Sequence, residues 1–220
     1  MSFKIIVFAI LFSLCSMPAS AIPLTFRYTG TVDLIQGFNS PPFAIGDTFT
    51  YTFTFNSETP DRDPHPSMGR YPGLIMNSMQ VGSYSAYTGP PRFYYYYPIT
   101  VGHDAFGTAV YMWYFTQSVD NLIGDAIEGL PLDEFIFRMD DDTGTAISSD
   151  ALPLLPPDPA LFNIKYMRLG FFDVSTQRGA YVDATINTAA MIPEPSTFLL
   201  ILIALAMIIT IPSNRVACRE

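Results

Sequence analysis

The first candidate for metal chemistry is an alternation of acidic and imidazole side chains. Asp61, Asp63 and His65 alternate in the proline-rich segment 60–66, so their side chains could converge on one divalent cation. The prolines on both sides of His65 also explain the segment as a rigid exposed turn, and we favour that interpretation. The sequence therefore predicts a loop at this point, with a metal site as the alternative.

A second candidate is a run of three carboxylates, Asp140, Asp141 and Asp142, followed by Thr143 and Gly144. Hard oxygen ligands of this kind suit Ca²⁺. The run lacks the alternating D-x-D-x-D-G layout that turns the side chains of a calcium loop toward one ion. An aspartate-rich hairpin turn explains the run more simply. We therefore predict that the protein has no cofactor, and Ca²⁺ is the alternative.

Nucleophilic catalysis has few candidate residues, because the chain contains only two histidines. His103 lies between Gly102 and Asp104, before a predicted strand, and a Ser-His-Asp arrangement would need such a base. The Gly-x-Ser-x-Gly elbow that accompanies many serine nucleophiles does not occur in the sequence. We therefore predict that the protein is not an enzyme. A hydrolase that uses His103 or His65 is the alternative.

The most unusual internal segment is Phe93-Tyr94-Tyr95-Tyr96-Tyr97. On a strand, Tyr94 and Tyr96 would face one side, and the other three rings would face the opposite side. One face can line a core, while outward tyrosines make good stacking surfaces for sugar rings. Tyr94, Tyr95, Tyr96 and Tyr97 are therefore candidate glycan contacts. The alternative is an ordinary aromatic-rich strand.

Apolar and polar residues alternate along much of the chain, which predicts that the candidate segments described above lie on or between β-strands. In 24–34 and 48–55, aromatic and aliphatic residues alternate mainly with threonine, which is typical of half-buried antiparallel strands. Gly, Pro, Asn and Asp interrupt the chain at short intervals. Further strands are predicted at 79–87, 92–101, 106–116, 133–139, 162–172 and 181–187. We expect an all-β fold, an antiparallel two-sheet β-sandwich for which a jelly roll is one arrangement.

The charge and cysteine content of the middle of the chain exclude some classes of partner and linkage. Cys15 and Cys218 are the only cysteines, so residues 22–190 contain no disulfide. Without Lys4 and the last two arginines, the middle keeps eight of the 11 basic residues. It keeps 18 of the 20 acidic residues, which gives a net charge of −10. Such an acidic surface makes nucleic acid an unsuitable partner.

The first 21 residues have the three-part organisation of a secretory signal peptide. Lys4 provides the positive charge, residues 5–14 form the apolar stretch, and Ala19-Ser20-Ala21 is an A-x-A cleavage signal. Ala19 and Ala21 therefore mark a predicted cleavage site that leaves Ile22 as the first residue. The partners that follow from this prediction are the Sec translocon and signal peptidase.

A second apolar stretch near the C-terminus predicts a transmembrane helix over 197–211. Its length of about 22 Å is short for a hydrocarbon core of about 30 Å. Its composition favours insertion, since most positions are Phe, Leu or Ile. Arg215 and Arg219 follow directly, which places the C-terminal end in the cytoplasm. Both ends of the chain thus predict that the middle is carried across a membrane.

The tail as a whole resembles a known signal. The tripeptide Pro193-Glu194-Pro195, the apolar run, and then Arg215 and Arg219 resemble the PEP-CTERM sorting signal of exported bacterial proteins. The resemblance covers about the last 28 residues. It implies recognition and processing by an exosortase, an integral-membrane, transpeptidase-like enzyme. It also implies an association with extracellular polysaccharide and biofilm production in Gram-negative bacteria. The tail departs from the family pattern in its spaced arginines and its final glutamate.

These observations predict three regions: a signal peptide at 1–21, an exported domain at 22–190, and a sorting tail at 191–220 that ends in a basic segment, 212–220. The expected route is an intermediate anchored in the inner membrane, followed by the cell envelope, the cell surface or the extracellular space. A structural or adhesive role in the biofilm matrix, with exopolysaccharide as a partner, is the expected function. A glycan-binding module is one alternative, and a secreted hydrolase is another.

Overall fold

A computed structural model describes residues 22–72, 74–88, 99–103, 109–116 and 122–193, with the backbone alone for 103 and 109–116. These residues form one short 3₁₀ turn at Pro159–Leu161 and eleven strands: β1 (Pro23–Gln36), β2 (Thr48–Asn56), β3 (Met68–Tyr71), β4 (Leu74–Val81), β5 (Tyr84–Thr88), β6 (Ile99–His103), β7 (Ala109–Thr116), β8 (Leu122–Gly124), β9 (Leu132–Asp141), β10 (Ile164–Asp173) and β11 (Arg178–Ile192). No helix within the described ranges has the length and apolar character needed to cross a membrane. The predicted signal peptide and the predicted helix over 197–211 lie outside these ranges.

All neighbouring strands pair in the antiparallel sense, in the order β3-β6-β7-β9-β10-β11-β1-β2-β4-β5-β8. The eight strands from β9 to β8 in this order form one continuous sheet. β3 and β6 form a two-stranded ladder, and β7 pairs with β6 on one side and with β9 on the other. The prediction of an antiparallel all-β fold is confirmed.

The eight-stranded sheet curls until its two halves face each other. β9 and β2 are four strand spacings apart, which would be about 19 Å across a flat sheet. The rings of Phe135 on β9 and Tyr51 on β2 nevertheless lie only 4.6 Å apart, centroid to centroid. Phe137 on β9 lies 4.7 Å from Tyr28 on β1. The interior of the curl is therefore the core of the domain.

Bulges and one glycine allow the sheet to bend. The pairing of β1 with β11 shifts register between Thr29 and Gly30 and again between Val32 and Leu34. A bulge strengthens the local twist and bends the strand. At Gly30 the two strands approach so closely that an added Cβ would lie 2.4 Å from the carbonyl oxygen of Thr185. Only glycine fits this contact without a shift of the backbone.

Period-two alternation places the aromatic residues inside, as predicted for β2. Phe49, Tyr51, Phe53 and Phe55 are all fully buried. The threonines that alternate with them face the other side of the sheet: Thr48, Thr50, Thr52 and Thr54. Most rings meet edge-on or tilted, as in the pair of Phe26 and Phe55 with centroids 5.0 Å apart. Such contacts contribute about 0.5–1.5 kcal/mol each beyond the area that they bury.

Some strand boundaries differ from the predicted ones. The predicted strand 79–87 is two strands, β4 and β5, which turn at Gly82 and Ser83 and pair Val81 with Tyr84. Gly82 has a φ of +54°, a conformation that suits glycine in a two-residue hairpin turn. The short strands β3 and β8 were not predicted, because three or four residues are too few to show an alternation. The predicted strands 133–139 and 181–187 lie within β9 and β11, and that at 162–172 largely coincides with β10.

A carboxylate clasp joins two loops where the curled sheet closes on itself. Glu128 and Gly129 both have positive φ and form the turn between Ile127 and Leu130. The Glu128 carboxylate accepts hydrogen bonds from the backbone N–H of Asn39 at 2.8 Å and from that of Ser40. The Asn39 side chain donates a further bond at 3.0 Å. These bonds link the β8–β9 loop to the β1–β2 loop, 88 or 89 residues away in sequence.

The clasp predicts a pH-dependent contribution to stability. The Ser40 and Asn39 N–H groups hold the pKa of Glu128 below its ordinary value of 4.5. A lowered pKa adds stability that is complete above the unfolded pKa and is lost as the pH falls through the folded one. We therefore expect Glu128→Gln to lower the Tm at neutral pH. The difference in Tm from the parent should shrink as the pH falls below about 4.5.

Thermal unfolding of both proteins between pH 3 and pH 7 measures this difference. Glu58→Gln is the matched control, since Glu58 is exposed in the loop after β2. A Glu128→Gln difference in Tm that stays constant over the whole pH range would contradict the prediction.

Candidate functional site

The predicted sorting residues begin where the described domain ends. β11 ends at Ile192, and Pro193, the last described residue, is exposed directly after it. The remaining predicted processing residues, and the four candidate glycan contacts, lie outside the described residues: Ala19, Ala21, Tyr94, Tyr95, Tyr96, Tyr97, Glu194, Pro195, Arg215 and Arg219.

The first and last described residues lie at the same end of two neighbouring strands. β1 and β11 are antiparallel neighbours, and Thr25 near the start of β1 pairs with Ile192 at the end of β11. Ile22 is 63% exposed and directly precedes β1. The described chain therefore begins and ends at the same end of these strands, with Ile22 before β1 and Pro193 after β11.

The carboxylates of the 61–70 loop are used to hold the loop in shape. Asp61 accepts a hydrogen bond from the Asp63 N–H and another from the Arg70 N–H, both at 2.8 Å. Asp63 accepts the His65 N–H at 2.9 Å and forms an ion pair with Arg70 at 3.0 Å. Asp61, Asp63 and His65 are thus parts of successive turns, in agreement with the rigid loop that the prolines predict.

His65 also has a serine neighbour. Its Nδ1 lies 3.0 Å from the Ser67 hydroxyl, the distance expected for a nucleophile and its base. A working pair of this kind also needs a third group that orients the imidazole. The nearby Asp63 carboxylate instead binds the His65 backbone N–H and Arg70. For His103, the other histidine, the backbone pairs with Ala109, and its side chain is outside the description.

The three consecutive aspartates do not converge on one point. Asp140 and Asp141 are adjacent on β9, so their side chains point to opposite faces of the sheet. Asp140 accepts a bond from Arg138 Nε at 2.5 Å. Asp141 accepts the N–H groups of Thr145 and Ala146 at 2.7 and 2.8 Å, and its pKa is lowered, first by the Thr143 hydroxyl.

Asp142, by contrast, is exposed. The described part of the chain contains no group of three or more Asp, Glu, His or Cys side chains that could hold a metal ion. The hydrogen bonds of Asp141 thus form an aspartate-rich turn. This turn begins the long loop between β9 and β10, so the two strands are not joined by the predicted tight hairpin.

A cluster that the sequence analysis did not single out lies on the outer face of β10 and β11. Met167 and Leu169 point into the core. Tyr166 and Arg168 alternate with them along β10 and therefore point outward. On β11, Tyr181 and Asp183 face outward in the same way, and Arg168 pairs in register with Asp183. We call Tyr166, Arg168, Tyr181 and Asp183 the Arg168 cluster.

Its geometry is fixed by charge and by ring stacking. Arg168 donates two parallel hydrogen bonds to the Asp183 carboxylate, each 2.6 Å long. Its guanidinium carbon lies 4.2 Å from the centre of the Tyr181 ring and 5.8 Å from that of Tyr166. Hydrogen bonding to Asp183 is the main cause that raises the pKa of Arg168. The Tyr181 hydroxyl in turn donates to Gln36.

Neighbouring side chains on β9 extend the cluster. Arg138 pairs in register with Tyr166 and forms an ion pair with Asp140. Hydrogen bonding to Asp140 raises the pKa of Arg138, and a bond with Tyr166 adds to the effect. The pKa of Glu134 is also raised, mainly because its carboxyl is partly buried, while Arg168 acts in the opposite direction.

The cluster combines half-buried aromatic rings with donors and acceptors that are held in place. Such a surface, built on rigid strands, can stack on an apolar ring face and hydrogen-bond the polar groups around it. The sequence predicted strands at 162–172 and 181–187, which contain the four residues of the cluster. It did not indicate that the two segments are adjacent strands in a register that opposes Arg168 and Asp183.

We compared the chain with protein-family models, with curated proteins and with solved structures, and none of the three comparisons found a match.

The Arg168 cluster should contribute measurably to stability. Arg168→Ala leaves Asp183, which is 8% exposed, without both of its charged hydrogen bonds. We expect the free energy of unfolding in urea to fall by about 1–3 kcal/mol. Arg70→Ala is the matched control, because its ion pair with Asp63 is more exposed and should be worth about 0–1 kcal/mol. Equal losses in the two variants would contradict this assignment.

Proposed function

We propose that the chain is an exported bacterial protein that an exosortase-type system sorts to the cell surface or to exopolysaccharide. Its role there is structural or adhesive. The observation that carries this proposal is the position of Pro193, exposed and directly after the final strand. The Pro-Glu-Pro element thus follows a finished domain, and a membrane enzyme can bind it without unfolding any strand.

The position of the two ends supports the same route. Ile22 follows the predicted cleavage site, Pro193 is the first residue of the Pro-Glu-Pro element, and both lie at the same end of the neighbouring strands β1 and β11. A chain that is held by a signal peptide and by a tail helix during export has both ends at one membrane. The folded domain fits this situation because neither end has to cross it.

The proposal includes a non-catalytic, two-layer scaffold. Face-to-face packing of β9 against β1 and β2 supports a β-sandwich-like or jelly-roll-like description of the curled sheet. The ordered carboxylates Asp61, Asp141 and Asp183 are engaged with neighbouring groups that shape loops or hold strands together. This use of polar side chains is typical of a scaffold.

Replacement of Pro193, Glu194 and Pro195 by alanine tests the sorting proposal. We expect the variant to be exported but to keep its tail, since the extended, charged recognition element is lost. Mass spectrometry of the C-terminus and surface labelling in the producing bacterium measure the two effects. Pro156→Ala/Pro157→Ala is the control, because these prolines lie in the loop between β9 and β10. Normal processing of the Pro-Glu-Pro variant would refute the sorting proposal.

Glycan binding is the second candidate function, and the Arg168 cluster is the observation that favours it. Its two tyrosine rings and fixed polar groups lie together on one outward surface. The acidic balance of the domain disfavours polyanions, so a neutral or weakly charged polysaccharide fits best. The residues Tyr94–Tyr97, which lie outside the described ranges, are the candidate contacts for the same ligand that the sequence predicts.

Calorimetry with the polysaccharide of the producing bacterium tests this function. We expect Tyr166→Ala/Tyr181→Ala to weaken binding about tenfold, because ring stacking is lost. Tyr87→Ala is the control, since Tyr87 is 51% exposed on β5, away from the cluster. A loss confined to a variant of Tyr94–Tyr97 would move the site to that segment. No heat of binding with the parent protein would refute the glycan function.

A further inference from the structure

Three polar side chains lie inside the aromatic core, on the inner face of three neighbouring strands. They are Tyr28 on β1, Tyr51 on β2 and Asn77 on β4, and none of them has any exposed surface. Tyr28 and Tyr51 oppose each other in register. Asn77 pairs with Phe53, two residues beyond Tyr51 on the same face, so it lies diagonal to Tyr51.

The polar atoms at this position lack hydrogen-bond partners among the described residues. They are the two tyrosine hydroxyls and the Nδ2 of Asn77. The Asn77 Oδ1 accepts the Thr88 backbone N–H at 3.1 Å, which fixes the orientation of the amide and leaves Nδ2 on its other side. A buried polar group without a partner is costly, and three of them would consume a large part of the net stability of a small domain.

The two hydroxyls are neutral donors and acceptors at any physiological pH. Burial raises the pKa of Tyr28 and of Tyr51 well above 10.0. The Asn77 amide lies near enough to the Tyr51 hydroxyl to lower its pKa, against the effect of burial, but the two groups do not form a hydrogen bond. The amide and the Tyr51 hydroxyl are therefore close, but direct contact does not satisfy both.

We propose that Tyr28, Tyr51 and Asn77 bind one internal water molecule in the core of the curled sheet. The water accepts the Asn77 Nδ2–H and one tyrosine O–H, and it donates to the other hydroxyl. Three hydrogen bonds is the usual number for a buried water. An anion could also accept from three donors, but the surrounding side chains are Phe53, Phe135 and Phe137, and a charge among aromatic rings would lack a counterion.

The sign of a stability change tests the proposal. If a water joins the three groups, Tyr28→Phe and Tyr51→Phe each leave the other groups without a partner. The equilibrium constant for unfolding of the full-length chain should then rise about tenfold in each variant. The double variant should be little worse than either single one, since the same water is already lost. Tyr84→Phe is the control, because the Tyr84 hydroxyl has its own protein partner, the Asp125 carbonyl, at 2.9 Å.

Unpartnered hydroxyls predict the opposite result, because their removal would leave stability unchanged or higher. That outcome for Tyr28→Phe and Tyr51→Phe would overturn the proposal. Water relaxation dispersion on the full-length parent decides the question even where a variant does not fold. We expect one long-lived water that is lost in Tyr28→Phe. The absence of such a water in the parent, or a stability that rises with chloride concentration, would also overturn it.

Discussion

The packing of aromatic rings across the inside of one curled sheet is the interaction on which the rest of the domain depends. Tyr28 contacts Phe137 although two strands lie between β1 and β9 in the hydrogen-bonded order, and Tyr51 contacts Phe135 although three strands lie between β2 and β9. The domain has no cysteine, so the curl is held by these contacts without a disulfide. Three features help the sheet to curl in this way: the register shifts in β1, Gly30 and the Glu128 clasp. The shifts bend the sheet, the glycine lets β1 and β11 approach, and the clasp joins the loops where the sheet meets itself.

A sheet that turns one face inward must present the other face to its surroundings, and that outer face is chemically uneven. On β1 and β2 it consists largely of threonines, and some threonines bond across strands, as Thr29 on β1 and Thr188 on β11 do at 2.5 Å. On β9 to β11 it carries the Arg168 cluster, with stacked rings and paired charges. Threonine hydroxyls that satisfy one another leave little to attract a partner. The Arg168 cluster on β10 and β11 therefore differs from the threonine-rich surface of β1 and β2 and from the exposed Tyr87 and Ile123 on β5 and β8.

The alternation of residues predicted which side chains form the core, because period two is a local property of a strand. Phe49, Tyr51, Phe53 and Phe55 are all inside, as their spacing indicated. The curl, the strand order and the Arg168–Asp183 pairing are properties of distant segments, and no local pattern contains them. The hydrogen bonds of Asp141 were within reach of sequence reasoning, since all of its partners follow within five residues. Those of Glu128 were not, since its partners lie 88 and 89 residues away.

The antiparallel arrangement of β1 and β11 bears on the proposed sorting. Because Thr25 near the start of β1 pairs with Ile192 at the end of β11, the described chain begins and ends at the same end of these strands. The Glu128 clasp lies at the opposite end of β1, since it joins the loops that follow Gln36 and precede Leu132. Under the proposed sorting, the membrane that holds Ile22 and Pro193 lies at the strand ends opposite the clasp. In that arrangement the strands point away from the membrane, and the Arg168 cluster lies along their side, where the proposed polysaccharide partner could reach it.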